Sequence, residues 1–214
     1  MLGFSAGAVV AVAFFDLLPE AINLGRKFHE PITLLSVTGL GFLLYMILDR
    51  IQVLHGQHAL NHAAAPAPAI GRGVLGAGSL SAHSFLDGIS IGFAFQASAA
   101  VGMIVTIAVL THDFSDGINT TNVVLKNGGS RRQALQWLLL DAIAPAAGIG
   151  STFFFVLPEA ATGLVLALFA GFFLYIGASD LIPESHHAHP KFLTTVMTLL
   201  GAGVLYVAIT LIGR

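Results

Sequence analysis

Seven long apolar segments restrict this chain to few folds. Each holds about 20 or more mostly apolar residues, the length that an α-helix needs to cross a hydrocarbon core about 30 Å thick. Transmembrane β-strands would instead alternate in polarity over about ten residues. The sequence therefore predicts an all-α, polytopic membrane helix bundle that forms a single domain over residues 1–214. Its seven transmembrane helices are predicted at residues 2–25, 32–54, 72–95, 99–125, 132–156, 160–182 and 191–212.

The composition excludes other classes of protein. Charged residues make up 9% of the chain and hydrophobic residues 56%, whereas about a quarter of a soluble domain is charged. With 9 Lys and Arg against 11 Asp and Glu, the sequence provides no basic footprint for nucleic acid. Zero Cys excludes a disulfide scaffold, a Cys-based zinc site and an Fe–S cluster. The few ionisable residues inside the helices therefore indicate functional sites.

Basic residues in the loops predict the orientation, because Lys and Arg concentrate on the cytoplasmic side. Six lie on the side of the N-terminus, namely Arg50, Arg72, Lys126, Arg131, Arg132 and Lys191. Three lie on the other side, namely Arg26, Lys27 and Arg214. We expect a cytoplasmic N-terminus and an outside C-terminus in a bacterial inner (plasma) membrane, with the reversed topology as the alternative. The first segment lacks the basic start and cleavage site of a signal peptide, so we expect it to remain a span.

Residues 55–70 form the longest polar stretch, on the predicted cytoplasmic side. His55, His58 and His62 precede a run rich in Ala and Pro, a composition typical of linkers. Three imidazoles at spacings of three and four residues could collect a divalent cation. A solvated linker that happens to contain histidine is the alternative.

A seven-residue motif occurs twice in neighbouring helices. Residues 83–89 and 112–118 share His, Phe, Asp, Gly and Ile at matching positions. The i, i+4 spacing places each His and its Asp on one helical face. Because the two helices are antiparallel and joined by a short loop, we expect His83 and Asp87 at the same depth as the second pair.

Five ionisable side chains are therefore expected together at mid-membrane: His83, Asp87, His112, Asp113 and Asp116. Three uncompensated carboxylates there would cost roughly 7 to 10 kcal/mol, and they would also repel one another. A bound divalent cation removes most of this cost, and protonation is the alternative. Imidazole with carboxylate suits Zn(II), Fe(II) or Mn(II), while the lack of thiolates argues against Cu(I). Ser84 and Asp141 are candidates for a second metal position, the alternative for Asp141 being a hydrogen-bonded interior residue.

A second repeat relates the first and sixth helices. Residues 16–21 read Asp-Leu-Leu-Pro-Glu-Ala and residues 180–185 read Asp-Leu-Ile-Pro-Glu-Ser. The two helices run in opposite directions, so this pattern is typical of the inverted repeats of secondary transporters. It leaves the fifth helix without a partner and predicts that one N-terminal helix is missing. The candidates for a transport path, with solvation at the membrane face as the alternative for the histidines, are Asp16, Asp180, His186 and His187.

These motifs resemble those of the ZIP (Zrt/Irt-like) family of divalent-metal transporters. The family's His-Asn-x-Pro-Glu-Gly box on its fourth helix and the similar box on its fifth are matched by residues 83–88 and 112–117. Its Leu-Pro-Glu-Ala and Leu-Ile-Pro-Glu boxes are matched within residues 18–21 and 180–184, and its His-rich loop by residues 55–62. The resemblance implies eight helices in a three-plus-two-plus-three arrangement, with the first absent here. It also implies a binuclear metal site, alternating access and a homodimer.

The chain departs from the family pattern at the site itself. Asp replaces Glu at positions 87 and 116, and Ser84 replaces Asn. Ala144 precedes Pro145 where many members carry Glu. The second metal position therefore depends on whether Asp141 compensates.

We expect transport of divalent transition-metal cations toward the cytoplasm, zinc first and also iron, manganese or cadmium. The chain is then not an enzyme, and the metal is its substrate, not a cofactor. The expected partners are the metal ion, the lipid bilayer and a second copy of the chain, without nucleic acid. An intramembrane metalloenzyme is one alternative, but its His-Glu-x-x-His motif is absent. A proton or monovalent-cation pathway through the same carboxylates is the other.

Overall fold

Seven helical segments make up the architecture of the computed structural model, which describes residues 2–61, 69–188 and 192–212. The side chains at 51–61, 69, 70, 72 and 188 lie outside the description. We number the segments α1 (Leu2–Gly25), α2 (Pro31–Asn61), α3 (Ala69–Ala97), α4 (Ala99–Lys126), α5 (Arg131–Thr152), α6 (Glu159–Ala188) and α7 (Phe192–Ile212). They follow the seven predicted segments in order, and the predicted all-α membrane bundle is confirmed. Six of them, all except α3, are long and apolar enough to cross a membrane.

Three helix ends differ from the sequence prediction by four residues or more, and one of them is the end of α6, which continues to Ala188 instead of residue 182. Helix α2 continues to Asn61, so the beginning of the predicted linker at 55–70 is helical, while residues 62–68 lie outside the described part. Helix α5 ends at Thr152, although the apolar run continues through Val156. The N–H groups of Phe153, Phe154 and Phe155 instead bond to carbonyl oxygens three residues back, the tighter pattern that is frequent where α-helices end. Hydropathy alone therefore placed the end of this helix too late.

The helices pack as two groups. Helices α3, α4 and α5 contact one another closely, and the second group contains α1, α2, α6 and α7. Within the second group, α1 packs against α7 and α6 packs against α2. The predicted inverted repeat makes α1 equivalent to α6 and α2 equivalent to α7. The pair of α1 with α7 is then equivalent to the pair of α6 with α2, so the packing agrees with the repeat.

A π-helical turn interrupts both repeated helices at the same motif. It spans Ala13–Leu17 in α1 and Ile176–Leu181 in α6, and it carries the repeated aspartate in each. A proline lies three residues after each of these aspartates. Proline lacks the N–H that would bond four residues back, and its ring clashes with that carbonyl. The shared proline gives both turns one physical cause, and such turns are frequent at functional sites.

Two glycines allow α3 and α5 to lie in backbone contact. A Cβ atom on Gly88 would overlap the carbonyl oxygen of Pro145, and one on Gly148 would overlap the carbonyl oxygen of Phe85. Small residues of this kind are typical of closely packed membrane helices. The contact lies beside the repeated His–Asp motif of α3 and fixes its position in the first helix group.

Candidate metal centre

The two repeated motifs meet between α3 and α4. His112 Nε2 lies 2.9 Å from Asp87 Oδ2. His83 Nε2 lies 3.3 Å from the same oxygen and 3.6 Å from Asp116 Oδ2. The structure thus brings together the four side chains that the repeat was expected to place at one depth.

Asp113 joins the same cluster from the α4 side. Its Oδ1 lies 3.9 Å from His112 Nε2. Two sets of three residues each offer ligand atoms within 4.8 Å of one another, namely His83, His112 and Asp116, and Asp87, His112 and Asp113. His112 belongs to both sets. All five predicted ligands therefore lie within reach of one or two small cations.

Three of the five side chains in the cluster are buried, and His83 and Asp113 are partly buried. His112 is 0% exposed, Asp87 3% and Asp116 7%. Among the described residues, Asp113 Oδ1 and Asp116 Oδ2 are buried without a hydrogen-bond partner. Leaving a buried acceptor unpaired costs about 1 to 3 kcal/mol, and more for a charged group. A cation among these oxygens would offset that cost.

Both histidines are held from the side that faces away from the cluster. His112 Nδ1 lies 3.2 Å from the carbonyl oxygen of Ala108, one turn earlier in α4. His83 Nδ1 is hydrogen-bonded to the hydroxyl of Tyr45 in α2. A neutral imidazole whose Nδ1–H donates outward keeps the lone pair on Nε2, which is what a metal ligand requires.

The candidates for a second metal position take part in a hydroxyl–carboxylate network. Ser84 Oγ donates to Asp141 Oδ1 at 2.9 Å, and Thr120 Oγ1 donates to Asp141 Oδ2 at 3.3 Å. Asp141 is buried, and neither compact ligand set includes it. The network links α3, α4 and α5 beside the cluster. Sequence reasoning missed Thr120, although it lies one turn beyond Asp116 on the same helical face.

Asp16 lies apart from the cluster, at a cavity near the opposite end of α1 from Leu2. Its Oδ2 is buried and has no hydrogen-bond partner among the described residues. The cavity, of about 490 Å³, is also lined by Glu20, by Ser98 at the start of α4 and by Thr210 near the end of α7. The structure therefore places the first repeated aspartate at one end of the bundle.

Asp180 lies nearer the other end, on the second π-helical turn. It is exposed, and it lies close enough to Glu184, Asp49, His83 and Asp116 for their charges to interact. The hydroxyl of Tyr175 donates to Asp49 Oδ2 at 2.9 Å. Sequence reasoning missed Asp49, because nothing in its apolar segment indicates a site.

The other histidines that the sequence singles out lie outside the cluster or outside the described side chains. His186 Nε2 lies 3.3 Å from Thr195 Oγ1 of α7, and His187 is exposed. The side chains of His55 and His58, together with His62, lie outside the described residues. These histidines stay predictions from the sequence.

The fold and the cluster define a class: a helical membrane protein that buries a set of imidazole and carboxylate ligands between two of its helices. The family model described as ZIP zinc transporter matches residues 55–208, which is more than half of the chain. The chain belongs to the ZIP zinc transporter family and is an integral membrane protein. The family resemblance expected from the motifs is confirmed.

Individual relatives agree with this family. The zinc transporter SLC39A7 of Homo sapiens is 30% identical over 141 residues, which cover 60% of this chain and 29% of that protein. The same transporter of Pongo abelii is 31% identical over 141 residues, with the same coverage. The zinc transporter ZIP10 of Danio rerio is 35% identical over 106 residues, or 49% of this chain and 12% of that protein. The matches span less than a third of each of these relatives.

Proposed function

We propose that this chain carries divalent transition-metal cations across a membrane, with zinc as the first substrate. The observation that carries the proposal is the largely buried cluster of two imidazoles and three carboxylates, in which two carboxylate oxygens have no hydrogen-bond partner in the described part of the chain. Relatives that are named zinc transporters support zinc as the metal. Iron, manganese and cadmium share the preference for such ligands and are further substrates under this proposal.

The ligand chemistry suits transport better than permanent binding. Structural zinc sites use closed sets of four ligands, frequently thiolates, whereas this cluster contains only nitrogen and oxygen donors. Conduction requires a site that attracts the ion and still releases it. Several carboxylates that share two histidines meet both demands, because they neutralise the ion inside the apolar bundle without enclosing it in thiolates.

We further propose a route along which the ion passes the cluster. The cavity at Asp16 and Glu20 would admit the cation, since it contains a buried carboxylate oxygen that has no hydrogen-bond partner within the described ranges. Asp180 would receive it on the other side, because its charge lies within range of His83 and Asp116, and Asp49 lies within range of Asp180. His186 and His187 lie beyond them. Transport toward the cytoplasm, with the N-terminus on the cytoplasmic side, is the direction that we propose.

A second metal position at Ser84 and Asp141 is a separate proposal. Both carboxylate oxygens of Asp141 already accept hydrogen bonds from hydroxyl groups, so a second ion would have to displace or share these donors. The homodimer and the bacterial inner membrane also stay predictions from the sequence.

Metal uptake by proteoliposomes tests the main proposal. We expect zinc uptake by the wild-type chain and a loss of at least tenfold in Asp87→Ala and His112→Ala. His29→Ala is the matched control, because His29 lies in the loop before α2 and bonds the carbonyl oxygen of Ala160 instead of joining the cluster. Wild-type uptake in both cluster variants would overturn the assignment. Sodium or proton flux without metal uptake would favour the monovalent pathway, and chelator-sensitive peptide cleavage would favour the enzyme.

A further inference from the structure

We infer that Tyr45 is a positioning residue of the proposed metal site: its hydroxyl, delivered by α2 from the second helix group, fixes the ring of His83 so that Nε2 faces the carboxylates. The inference rests on the proposed function, since it concerns how the site holds its metal. Tyr45 lies in an apolar segment without a motif, and its role does not follow from the sequence pattern.

The two site histidines reach the same arrangement by different means. His112 uses the carbonyl oxygen of Ala108 in its own helix as the partner of Nδ1. His83 uses the hydroxyl of Tyr45, which comes from a residue 38 positions earlier in the chain. In both rings Nε2 then points to Asp87 Oδ2. The partner of Nδ1 therefore comes from the same helix for His112 and from a different helix for His83.

Tyr45 is itself held in place by aromatic rings of α6. Its ring centroid lies 5.4 Å from that of Phe172 and 5.5 Å from that of Tyr175. It meets the His83 ring edge to face, with centroids 5.8 Å apart and an interplanar angle of 80°. Such packing restricts the tyrosine, so its hydroxyl presents a fixed partner to His83.

A fixed partner matters because the ring torsion of histidine is broad and roughly two-fold. A half-turn of the ring exchanges a nitrogen for a carbon at the position that faces the cluster. When His83 Nδ1–H donates to the Tyr45 hydroxyl oxygen, one ring orientation is selected and Nε2 keeps its lone pair for the metal. Loss of such an outer partner typically weakens metal binding about 10-fold to 100-fold.

The contact also joins the two helix groups. Tyr45 belongs to α2, which packs against α6, whereas His83 belongs to α3, which packs against α4 and α5. A shift of one group relative to the other would separate the hydroxyl from the ring. Metal affinity at His83 therefore depends on how the two groups sit against each other.

Cobalt binding to the purified full chain tests this inference. Tyr45→Phe keeps the ring and removes the hydroxyl, and Tyr206→Phe is the matched control, because Tyr206 lies on α7 against Phe15. We expect Tyr45→Phe to weaken Co²⁺ binding about 10-fold to 100-fold and to change the visible absorption of the bound ion. We expect Tyr206→Phe to match the wild type in both.

A double-mutant cycle separates positioning from general damage to the fold. If Tyr45 acts through His83, adding Tyr45→Phe to His83→Ala causes no further loss of Co²⁺ affinity. Unchanged affinity and spectrum in Tyr45→Phe, with binding lost in His112→Ala, would overturn the inference and leave the proposed function standing. If Tyr45→Phe lowered Co²⁺ affinity by the same factor in the wild type and in His83→Ala, that result would also overturn the inference. No Co²⁺ binding by the wild type would overturn the proposed function itself.

Discussion

Gly148 and Gly150 lie two residues apart in α5 and provide a matched test of how closely α3 and α5 pack. A Cβ atom on Gly148 would overlap the carbonyl oxygen of Phe85 and lie 2.9 Å from both Gly88 Cα and Ile89 N. A Cβ atom on Gly150 would meet nothing within 4 Å. The three nearest atoms that the new Cβ of Gly148→Ala would meet are backbone atoms of α3, which cannot move aside as a side chain can, so the helices must separate.

The magnitude follows from that separation. Ordinary contact begins at 3.4 Å, so α3 must retreat by at least half an ångström, which strains the hydrogen bond of Ser84 to Asp141. Overpacking and the loss of this charged hydrogen bond, less the helix propensity gained by alanine, lower the free energy of unfolding by about 1.5 to 5 kcal/mol. Gly150→Ala should instead raise it by up to about 1 kcal/mol.

Equilibrium unfolding in detergent measures both changes, and Co²⁺ binding to the same samples reports on the cluster. Phe85 and Ile89 flank Asp87 in α3, so we expect weaker Co²⁺ binding in Gly148→Ala and unchanged binding in Gly150→Ala. A Gly148→Ala chain as stable as Gly150→Ala would refute the reasoning, because it would show that the backbones of α3 and α5 do not touch.

Three further predictions concern other parts of the chain. Asp16→Asn should raise the zinc concentration for half-maximal uptake in proteoliposomes and leave Co²⁺ binding at the cluster unchanged, because Asp16 lies outside both ligand sets. Ser84→Ala removes a donor to the buried carboxylate of Asp141 and should lower the free energy of unfolding by about 1.5 to 3 kcal/mol, measured by denaturation in detergent. Lys27→Ala breaks the exposed ion pair with Glu159 and should lower the free energy of unfolding by less than about 1 kcal/mol. This effect should disappear at high salt.

The sequence predicts the parts of the site that local spacing determines. The i, i+4 step and the short loop between α3 and α4 were enough to bring His83 and Asp87 to the second motif. Tyr45, Asp49 and Thr120 were missed for a different reason. The first two come from a helix in the other group, where only tertiary packing brings Tyr45 to His83 and Asp49 to Tyr175. A threonine in a helix has no distinctive pattern.

The repeated hexapeptide also shows that local sequence predicts backbone geometry but not the tertiary surroundings of a side chain. The shared proline explains why both copies fold into a π-helical turn, and this follows from the covalent structure of the chain. The surroundings of the two aspartates nevertheless differ, since Asp16 is buried and Asp180 is exposed. A backbone repeat fixes where each carboxylate sits, but the neighbouring helices decide whether water reaches it.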